Sequence, residues 1–224
     1  MGAAAVLGAL EMRRRTGSGA HIDVSQYECG LLFLAGPLFD YHQSGTIALP
    51  AGNSDPEAVP HGAYPCVNGG WVALSCWSEA EFAALAAALG RPELAVDRRF
   101  ETVAGRRNCA GELDAEIGRW TRERDAGDAT RVLQQAGVHA HQVNSIADLY
   151  TDPQLLERRQ WRRRRHPVIG DQAYCYPAFE LADTPGDITA AGPVLGADND
   201  TVFGEFLGLS GTELEAHQAA GAFG

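Results

Sequence analysis

Residues 52–76 read GNSDPEAVPHGAYPCVNGGWVALSC, a polar loop that runs directly into two short apolar stretches. The stretches, residues 64–67 and 71–74, are separated by Asn68-Gly69-Gly70. Apolar runs of this length joined through an Asn-Gly turn are typical of a β-hairpin, because asparagine and glycine readily adopt the positive φ angles of a tight turn. The segment therefore predicts a hairpin with a long loop before it.

The loop before the hairpin, residues 45–63, contains groups suited to a ligand site. Gly52 and Gly62 would let a ligand approach the backbone closely, and two prolines would stiffen the connection. Asn53, His61 and, at the loop's end, Tyr64 supply polar groups. On the residues alone two interpretations stay open, a site loop and an ordinary connection between two parts of the fold.

Helical and strand patterns surround this segment along the chain. Residues 3–15 form an Ala-rich helical pattern that lacks an N-cap residue. The further predicted helices are 26–44, interrupted at Gly36-Pro37, 79–89, 111–119, 129–135 and 201–207; the further predicted strands are 21–24 and 138–143. Ser145 and Asp152-Pro153 are predicted to start two short helices. Capping boxes are predicted at Ser78 and Glu81 before the helix 79–89, and at Ser210 and Glu213 before a last helix. The arginine-rich run 158–165 is interpreted as a solvated linker or strand edge, with an anion site for phosphates as the alternative.

The charged residues exclude several classes of protein. The chain has 18 arginines and no lysine, so Schiff-base enzymes, Walker A proteins and protein kinases, which depend on a lysine, are ruled out. A net charge of −11 argues against general nucleic-acid binding. The sequence has no secretory signal and no apolar run of membrane-spanning length, so we expect a cytoplasmic protein without a membrane partner.

Cysteine and histidine patterns give little support for a metal site. The five cysteines include no C-x-x-C pair, and we expect them to be small buried hydrophobic groups without disulfides. His139 and His141 lie two residues apart in a predicted strand and so share one face, the minimum for a metal site. No third ligand lies nearby in the sequence, so we expect surface or core histidines and no bound metal, with a metal site as the alternative.

Several motifs along the chain occur in a recognisable order. RRTGSGAHIDVS at residues 14–25 precedes an apolar helix, and GNSDPEAVPHGAYP at 52–65 follows that helix. The later motifs are ALGRPELAVDRRF at 88–100, AGV at 136–138, DPQL at 152–155, HPVIG at 166–170 and LGLSGTEL at 207–214. Together they resemble the family III CoA-transferases, of the carnitine and bile-acid CoA-transferase type. The resemblance covers essentially the whole chain.

The resemblance implies an α/β fold in three parts. Residues 1–45 would be the end of a Rossmann-like large-domain segment. Residues 46–150 would be a crossover loop and a small α+β domain, and residues 151–224 a linker and the C-terminal return segment of the large domain. Because two chains interlock like chain rings in this family, we expect a homodimer or a heteromer in the full-length enzyme.

The resemblance also implies a chemistry. The family transfers CoA between an acyl-CoA and a carboxylic acid through an aspartyl thioester, so CoA and acyl-CoA are substrates and no cofactor is permanently bound. In the family the nucleophilic aspartate lies upstream of the Ala-rich helix, so no residue here matches it and we expect the chain alone to be inactive. The loop positions that do match, and are expected to bind substrate, are Gly52, Asn53, His61, Gly62 and Tyr64.

Two alternative functions stay open. One is an α-methylacyl-CoA racemase, which shares the fold but moves a proton at the α-carbon instead of transferring CoA. The other is a non-catalytic subunit that completes another chain, which is suggested by the uncapped apolar helix at residue 3.

Overall fold

The structure, a computed structural model, describes residues 1–222. Its α-helices are α1 (Gly2–Thr16), α2 (Gln26–Leu31), α3 (Ala35–Ser44), α4 (Glu79–Ala88), α5 (Val103–Asn108), α6 (Ala110–Thr121), α7 (Ala126–Gln135), α8 (Pro153–Glu157) and α9 (Gly211–Ala219). Its strands are β1 (His61–Pro65), β2 (Trp71–Ser75), β3 (His139–Gln142), β4 (Trp161–His166) and β5 (Gly170–Cys175). The chain separates into two compact units, Met1–His141 and a second that begins at Gln142.

The predicted hairpin is present in the first unit as the antiparallel pair β1 and β2. Its register places Tyr64 opposite Val72 and Ala63 opposite Ala73. Asn68 and Gly69 in the turn have φ angles of 57° and 76°, the conformation for which asparagine and glycine are suited. Strand β3 lies beside β2, so the sheet order is β1-β2-β3.

The two faces of this sheet differ in burial. Tyr64, Val72 and Leu74 are buried on one face, whereas Ala73 on the other face is exposed. The buried face packs in one apolar core with side chains from the helices and their connections, chiefly Phe82, Leu85, Phe100, Leu113, Ile117, Leu133 and Val138. The helices therefore cover one side of the sheet and leave the other side open.

The segment before the hairpin differs from its predicted structure at two points. Residues 21–24 form no strand, so that prediction is wrong; among the described residues no strand pairs with them, and an unpaired strand leaves its backbone hydrogen bonds unmade. The apolar helix breaks at a 3₁₀ turn, Leu32–Leu34, rather than at Gly36-Pro37. Pro37 is the third residue of α3, where an amide donor is not needed.

The second unit contains the hairpin of β4 and β5. Four arginines of the run, residues 162–165, lie in β4, whereas Arg158 and Arg159 precede the strand. The ordinary helix predicted at residues 201–207 is instead a π-helix over Asp200–Phe206. Helix α9 begins with a complete capping box between Ser210 and Glu213.

The cysteine prediction is correct for only part of the set. Cys66 and Cys76 are buried and Cys175 is exposed, so the expectation of five buried thiols is wrong. Cys175 is the last residue of β5, in a sheet of only two strands among the described residues.

A search of the helices in the described part of the chain finds none with the length and apolar character needed to cross a membrane.

Candidate functional site

Asn53 and His61, two of the residues predicted for the site, are in contact. His61 is the first residue of β1, and its Nδ1 donates a hydrogen bond to the backbone carbonyl of Asn53 at 2.6 Å. Its ring also meets Trp77 edge-on, with ring centroids 6.3 Å apart. The imidazole therefore joins the start of the strand to the part of the loop eight residues earlier.

The middle of the loop is held by Asp55 and by Arg107 of α5. The Asp55 carboxylate accepts hydrogen bonds from the amides of Glu57 and Ala58, at 2.7 and 3.0 Å. These two hydrogen bonds lower the pKa of Asp55, and the nearby charges of His61 and Arg107 lower it further. Arg107 also donates a hydrogen bond to the carbonyl of Pro56. The loop is thus tied to a helix of the core.

Arg106 anchors the end of the loop from inside the core. Its side chain is fully buried, and Nε donates to the carbonyl of Val59 at 2.8 Å while Nη1 donates to the carbonyl of Phe100 at 2.9 Å. The guanidinium also pairs with the Glu79 carboxylate and lies over the Phe82 ring, 4.7 Å from its centroid. Sequence reasoning missed Arg106 because it did not predict α5, and two adjacent arginines give no sign of which one is buried.

The other three predicted site residues, Tyr64, Gly62 and Gly52, differ in burial and in contacts. Tyr64 is buried and its hydroxyl donates a hydrogen bond to the Asp114 carboxylate at 2.7 Å. Burial, together with donation to a carboxylate, raises the pKa of Tyr64. A Cβ atom on Gly62 would lie 3.0 Å from the Tyr64 hydroxyl oxygen, so a side chain there would press on this contact. Gly52 is exposed and has a φ angle of 61°.

A cavity of about 680 Å³ lies on the open face of the first sheet, and we call it the sheet cavity. Its polar lining includes Asn53, Ser75 and the histidines His61, His139 and His141, whereas its other lining residues are mostly glycine and alanine. Ala140 packs against the core, so the alternation of β3 points His139 and His141 to the open face. The spacing of this pair could be seen in the sequence, whereas its place in one cavity with His61 could not.

The predicted site residues differ in which of two cavities they line. Asn53, His61 and Gly62 line both the sheet cavity and a smaller cavity of about 320 Å³, which Tyr64, Asp114 and Arg122 also line. Gly52 is adjacent in sequence and lines neither cavity. Among the residues that the structure describes, no cluster of three or more histidine, cysteine or acidic side chains could hold a metal ion.

Comparison with known proteins now assigns the family. The sequence model of CoA-transferase family III matches residues 1–199. The chain belongs to this family. The resemblance stated from the sequence motifs is thereby confirmed, and so is the mixed α/β fold class.

Two characterised members of the family illustrate the relationship, both from Chloroflexus aurantiacus. The succinyl-CoA:D-citramalate CoA-transferase is 31% identical over 94% of this chain and 52% of its own length. The alpha subunit of the succinyl-CoA:L-malate CoA-transferase is 32% identical over 96% of this chain and 50% of its own length. The chain therefore spans about half the length of these curated relatives.

A solved structure supports the fold. A CAIB/BAIF family protein from Brucella suis superimposes with a TM-score of 0.79 and 28% identity over 90% of this chain. This chain covers 52% of that one. The arrangement of helices and small antiparallel sheets described above is thus the arrangement found in about half of a family member.

Proposed function

We propose that this chain is the part of a family III CoA-transferase that covers the acyl group while CoA moves between an acyl-CoA and a carboxylic acid. The family match over residues 1–199 carries this proposal. The relatives are named for succinyl-CoA as donor and D-citramalate or L-malate as acceptor. Succinyl-CoA and a hydroxy dicarboxylic acid are accordingly the proposed substrates, and the proposal includes no permanently bound cofactor.

The loop geometry supports a covering role for residues 52–64. Asn53 and His61 meet each other and line the sheet cavity with Gly62, so a ligand in that cavity would contact all three. Asp55, Arg106 and Arg107 hold the rest of the loop, which fixes the position of His61. Gly52 would allow close approach of the backbone and Tyr64 would support Gly62 from beneath. These roles make the five residues the proposed substrate-binding set.

The proposed reaction follows the mechanism of the family. A carboxylate of aspartate attacks the thioester carbonyl, and the CoA thiolate leaves, which forms a mixed anhydride. The thiolate then attacks the aspartyl carbonyl of the anhydride, releasing the first acid and forming an aspartyl thioester. The acceptor acid reverses these two steps and leaves as its CoA thioester. No residue of this chain matches that aspartate, so we propose that the 224-residue chain alone transfers no CoA.

A partner polypeptide is part of the proposal. Helices α1 to α3 contain no buried residue, and Phe33 and Phe39 are 88% and 66% exposed. Exposed apolar side chains in this number favour a covering surface. Two relatives are named as the alpha subunit and the beta subunit of a succinyl-CoA:L-malate CoA-transferase, which supports a heteromer beside the homodimer. The division into residues 1–45, 46–150 and 151–224 and the cytoplasmic location also stay proposals.

A transfer assay tests the function. The purified chain, and the assembly that it forms in the cells that make it, are incubated with succinyl-CoA and either L-malate or D-citramalate. We expect the assembly to form malyl-CoA or citramalyl-CoA and the isolated chain to form neither. Transfer by the isolated chain would contradict the assignment of the nucleophile to another segment.

A second assay separates transfer from racemisation. The assembly is incubated in D₂O with a 2-methylacyl-CoA, and deuterium at the α-carbon is measured by mass spectrometry. The relatives described above are named as CoA-transferases, so we expect no deuterium uptake. Uptake without any change of acyl partner would support the racemase and refute the transferase.

A further inference from the structure

The chemistry of the sheet cavity restricts the ligand that it can hold. Its volume of about 680 Å³ is within the range of small-molecule sites. Ala63, Ala73 and Gly137 leave the floor open to a ligand. Among the described residues that line it there is no acidic side chain and no arginine, so histidine is the one lining residue type that can become cationic.

His61 is held in an orientation that determines what it can offer. Because the Asn53 carbonyl can only accept, Nδ1 carries a proton, and the remaining polar atom of the ring is Nε2. In the doubly protonated ring Nε2 becomes a charge-assisted donor. The charged ring also has an electrostatic attraction to Asp55, which is itself close to Arg107.

His139 has a comparable environment on the neighbouring side of the cavity. Its Nδ1 lies 3.6 Å from the Glu81 carboxylate, an ion pair when the imidazole is protonated. Glu81 is fixed because its other oxygen accepts the amide of Trp77 at 2.6 Å. His141 follows on the same face of β3 and lines the same cavity. Two imidazoles, each with a nearby carboxylate, thus border an otherwise uncharged floor.

We propose that the sheet cavity binds the free carboxylate of a dicarboxylic acyl group or acceptor acid, with protonated His61 and His139 as the hydrogen-bond donors. The proposal rests on the function proposed above and names two residues that select the acid. A phosphate group fits the cavity less well, because bidentate arginines and helix N-termini are the usual phosphate ligands and neither borders it.

Titration of the histidine rings by NMR tests this proposal on the full 224-residue chain. Two-bond ¹H–¹⁵N spectra are recorded at about pH 6 during addition of succinate, L-malate, butyramide or inorganic phosphate. We expect succinate and malate to shift the His61 and His139 resonances saturably. Butyramide, which has the same number of carbons as succinate and no carboxylate, should bind at least about tenfold more weakly. The exposed His21, which does not line the cavity, serves as the internal control.

Substitutions of the histidines and of Glu81 provide a second test of the proposal. Both cavity imidazoles are exposed, so His61→Gln combined with His139→Gln should fold and lose the dicarboxylate response, whereas His21→Gln should keep it. The charged or titratable groups around the two rings are Asp55, Arg107, Glu81 and His141, together with Asp114 and Arg122 in the smaller cavity that His61 also lines. Glu81→Gln reports the contribution of the carboxylate beside His139.

Three outcomes would overturn the proposal: no shift at His61 and His139, equal binding of butyramide and succinate, or a stronger response to phosphate. The function proposed above is judged separately by transfer. If the assembly transfers CoA equally well to butyrate and to succinate, the selection by histidine is refuted and the CoA-transferase activity stands. If the assembly transfers CoA to no acid, the proposed function fails whatever the spectra show.

Discussion

The Tyr64 hydroxyl donates a hydrogen bond to the Asp114 carboxylate at 2.7 Å, and the two residues are 50 positions apart in the sequence. Tyr64 belongs to β1 and Asp114 to α6, so the bond fixes the strand that carries His61 against a core helix. Tyr64 is buried whereas Asp114 is exposed, which means that water can replace the tyrosine at the carboxylate.

Tyr64→Phe should therefore lower the free energy of unfolding by about 1 kcal/mol, the usual net value of one hydrogen bond. The ring stays packed and Asp114 becomes hydrated, so no buried acceptor is left without a partner. Urea denaturation measures the change. Tyr27→Phe is the control, since Tyr27 is 78% exposed, and it should change stability by less than about 0.5 kcal/mol. Equal effects of the two substitutions would show that the Asp114 bond adds nothing.

Arg106 and Arg107 are adjacent arginines whose replacement should affect stability to very different extents. Arg106→Met leaves the buried carbonyls of Val59 and Phe100 without their donor, which should cost at least about 3 kcal/mol. Arg107→Met removes one contact of an exposed side chain and should cost about 1 kcal/mol or less. Thermal and urea unfolding of the two variants measure both values.

The same pair of variants also reports on the loop. If Arg106 positions the loop through Val59, the surviving folded fraction of Arg106→Met should show altered His61 ring resonances, because His61 follows Val59 by two residues. Unchanged His61 resonances together with a small loss of stability would contradict the anchoring role.

Substitution of glycine by alanine should have opposite effects on stability at Gly105 and at Gly111, which lie in neighbouring helices. A Cβ atom on Gly105 would lie 2.4 Å from the carbonyl oxygen of Arg99, a contact with backbone that cannot move aside easily. Gly105→Ala should be strongly destabilising. A Cβ atom on Gly111 in α6 would point into open space, with no neighbouring side chain within 4 Å, so Gly111→Ala should stabilise by about 0.5–1 kcal/mol through helix propensity. Differential scanning calorimetry gives both signs, and a stabilising Gly105→Ala would refute the close approach.

Ionisation of the Cys76 thiol should lower the free energy of unfolding at alkaline pH. Burial raises the pKa of its thiol from 9.0 to about 12, and the charge of Glu81 adds to the shift. In the folded state the Cys76 thiol keeps its proton at pH values where the unfolded state has lost it. Ionisation of Cys76 therefore leaves the free energy of unfolding unchanged below about pH 9 and lowers it as the pH rises toward 12. Between pH 9 and pH 10 the loss should be about 1 kcal/mol.

Urea denaturation at several pH values measures this decline, and Cys76→Ala should reduce its slope. Tyr64 and Cys66, whose pKa values are also raised by burial, contribute to the same alkaline decline, so the difference between wild type and Cys76→Ala isolates the Cys76 share. An identical slope in the variant would show that Cys76 does not titrate differently in the folded state.

Local features of the fold could be predicted from the sequence because their causes lie within a few residues. The Asn68-Gly69 turn, the Ser210 and Glu213 capping box and the Asp152 cap of α8 are all set by neighbouring groups. Ser78 shows where this reasoning stops. It caps α4 by accepting the amide of Glu81, but the Glu81 carboxylate turns to Trp77 instead of completing a capping box.

Predictions failed where the structure of a segment depends on a partner far away in the chain, because the sequence does not identify that partner. Residues 21–24 have the alternation of a strand, but no strand among the described residues pairs with them. The four consecutive arginines of β4 are divided by pairing: Arg162 and Arg164 both contact Asp187, which lies more than twenty residues later in the chain. The alternation of side chains along β4 predicts that the arginines lie on two faces of the strand. Only the tertiary structure shows which of these faces lies beside Asp187.

Family membership and the hairpin follow from adjacent residues, because motif order and turn chemistry are local properties of the sequence. The substrate-binding role of Gly52, Asn53, His61, Gly62 and Tyr64 stays a prediction. The fold shows in addition that Arg106 rather than Arg107 is buried, that Tyr64 reaches Asp114, and that His61 lines one cavity with two histidines of β3. The physical reason is that burial and hydrogen-bond partnership depend on which distant segments the folded chain brings within a few ångströms of one another.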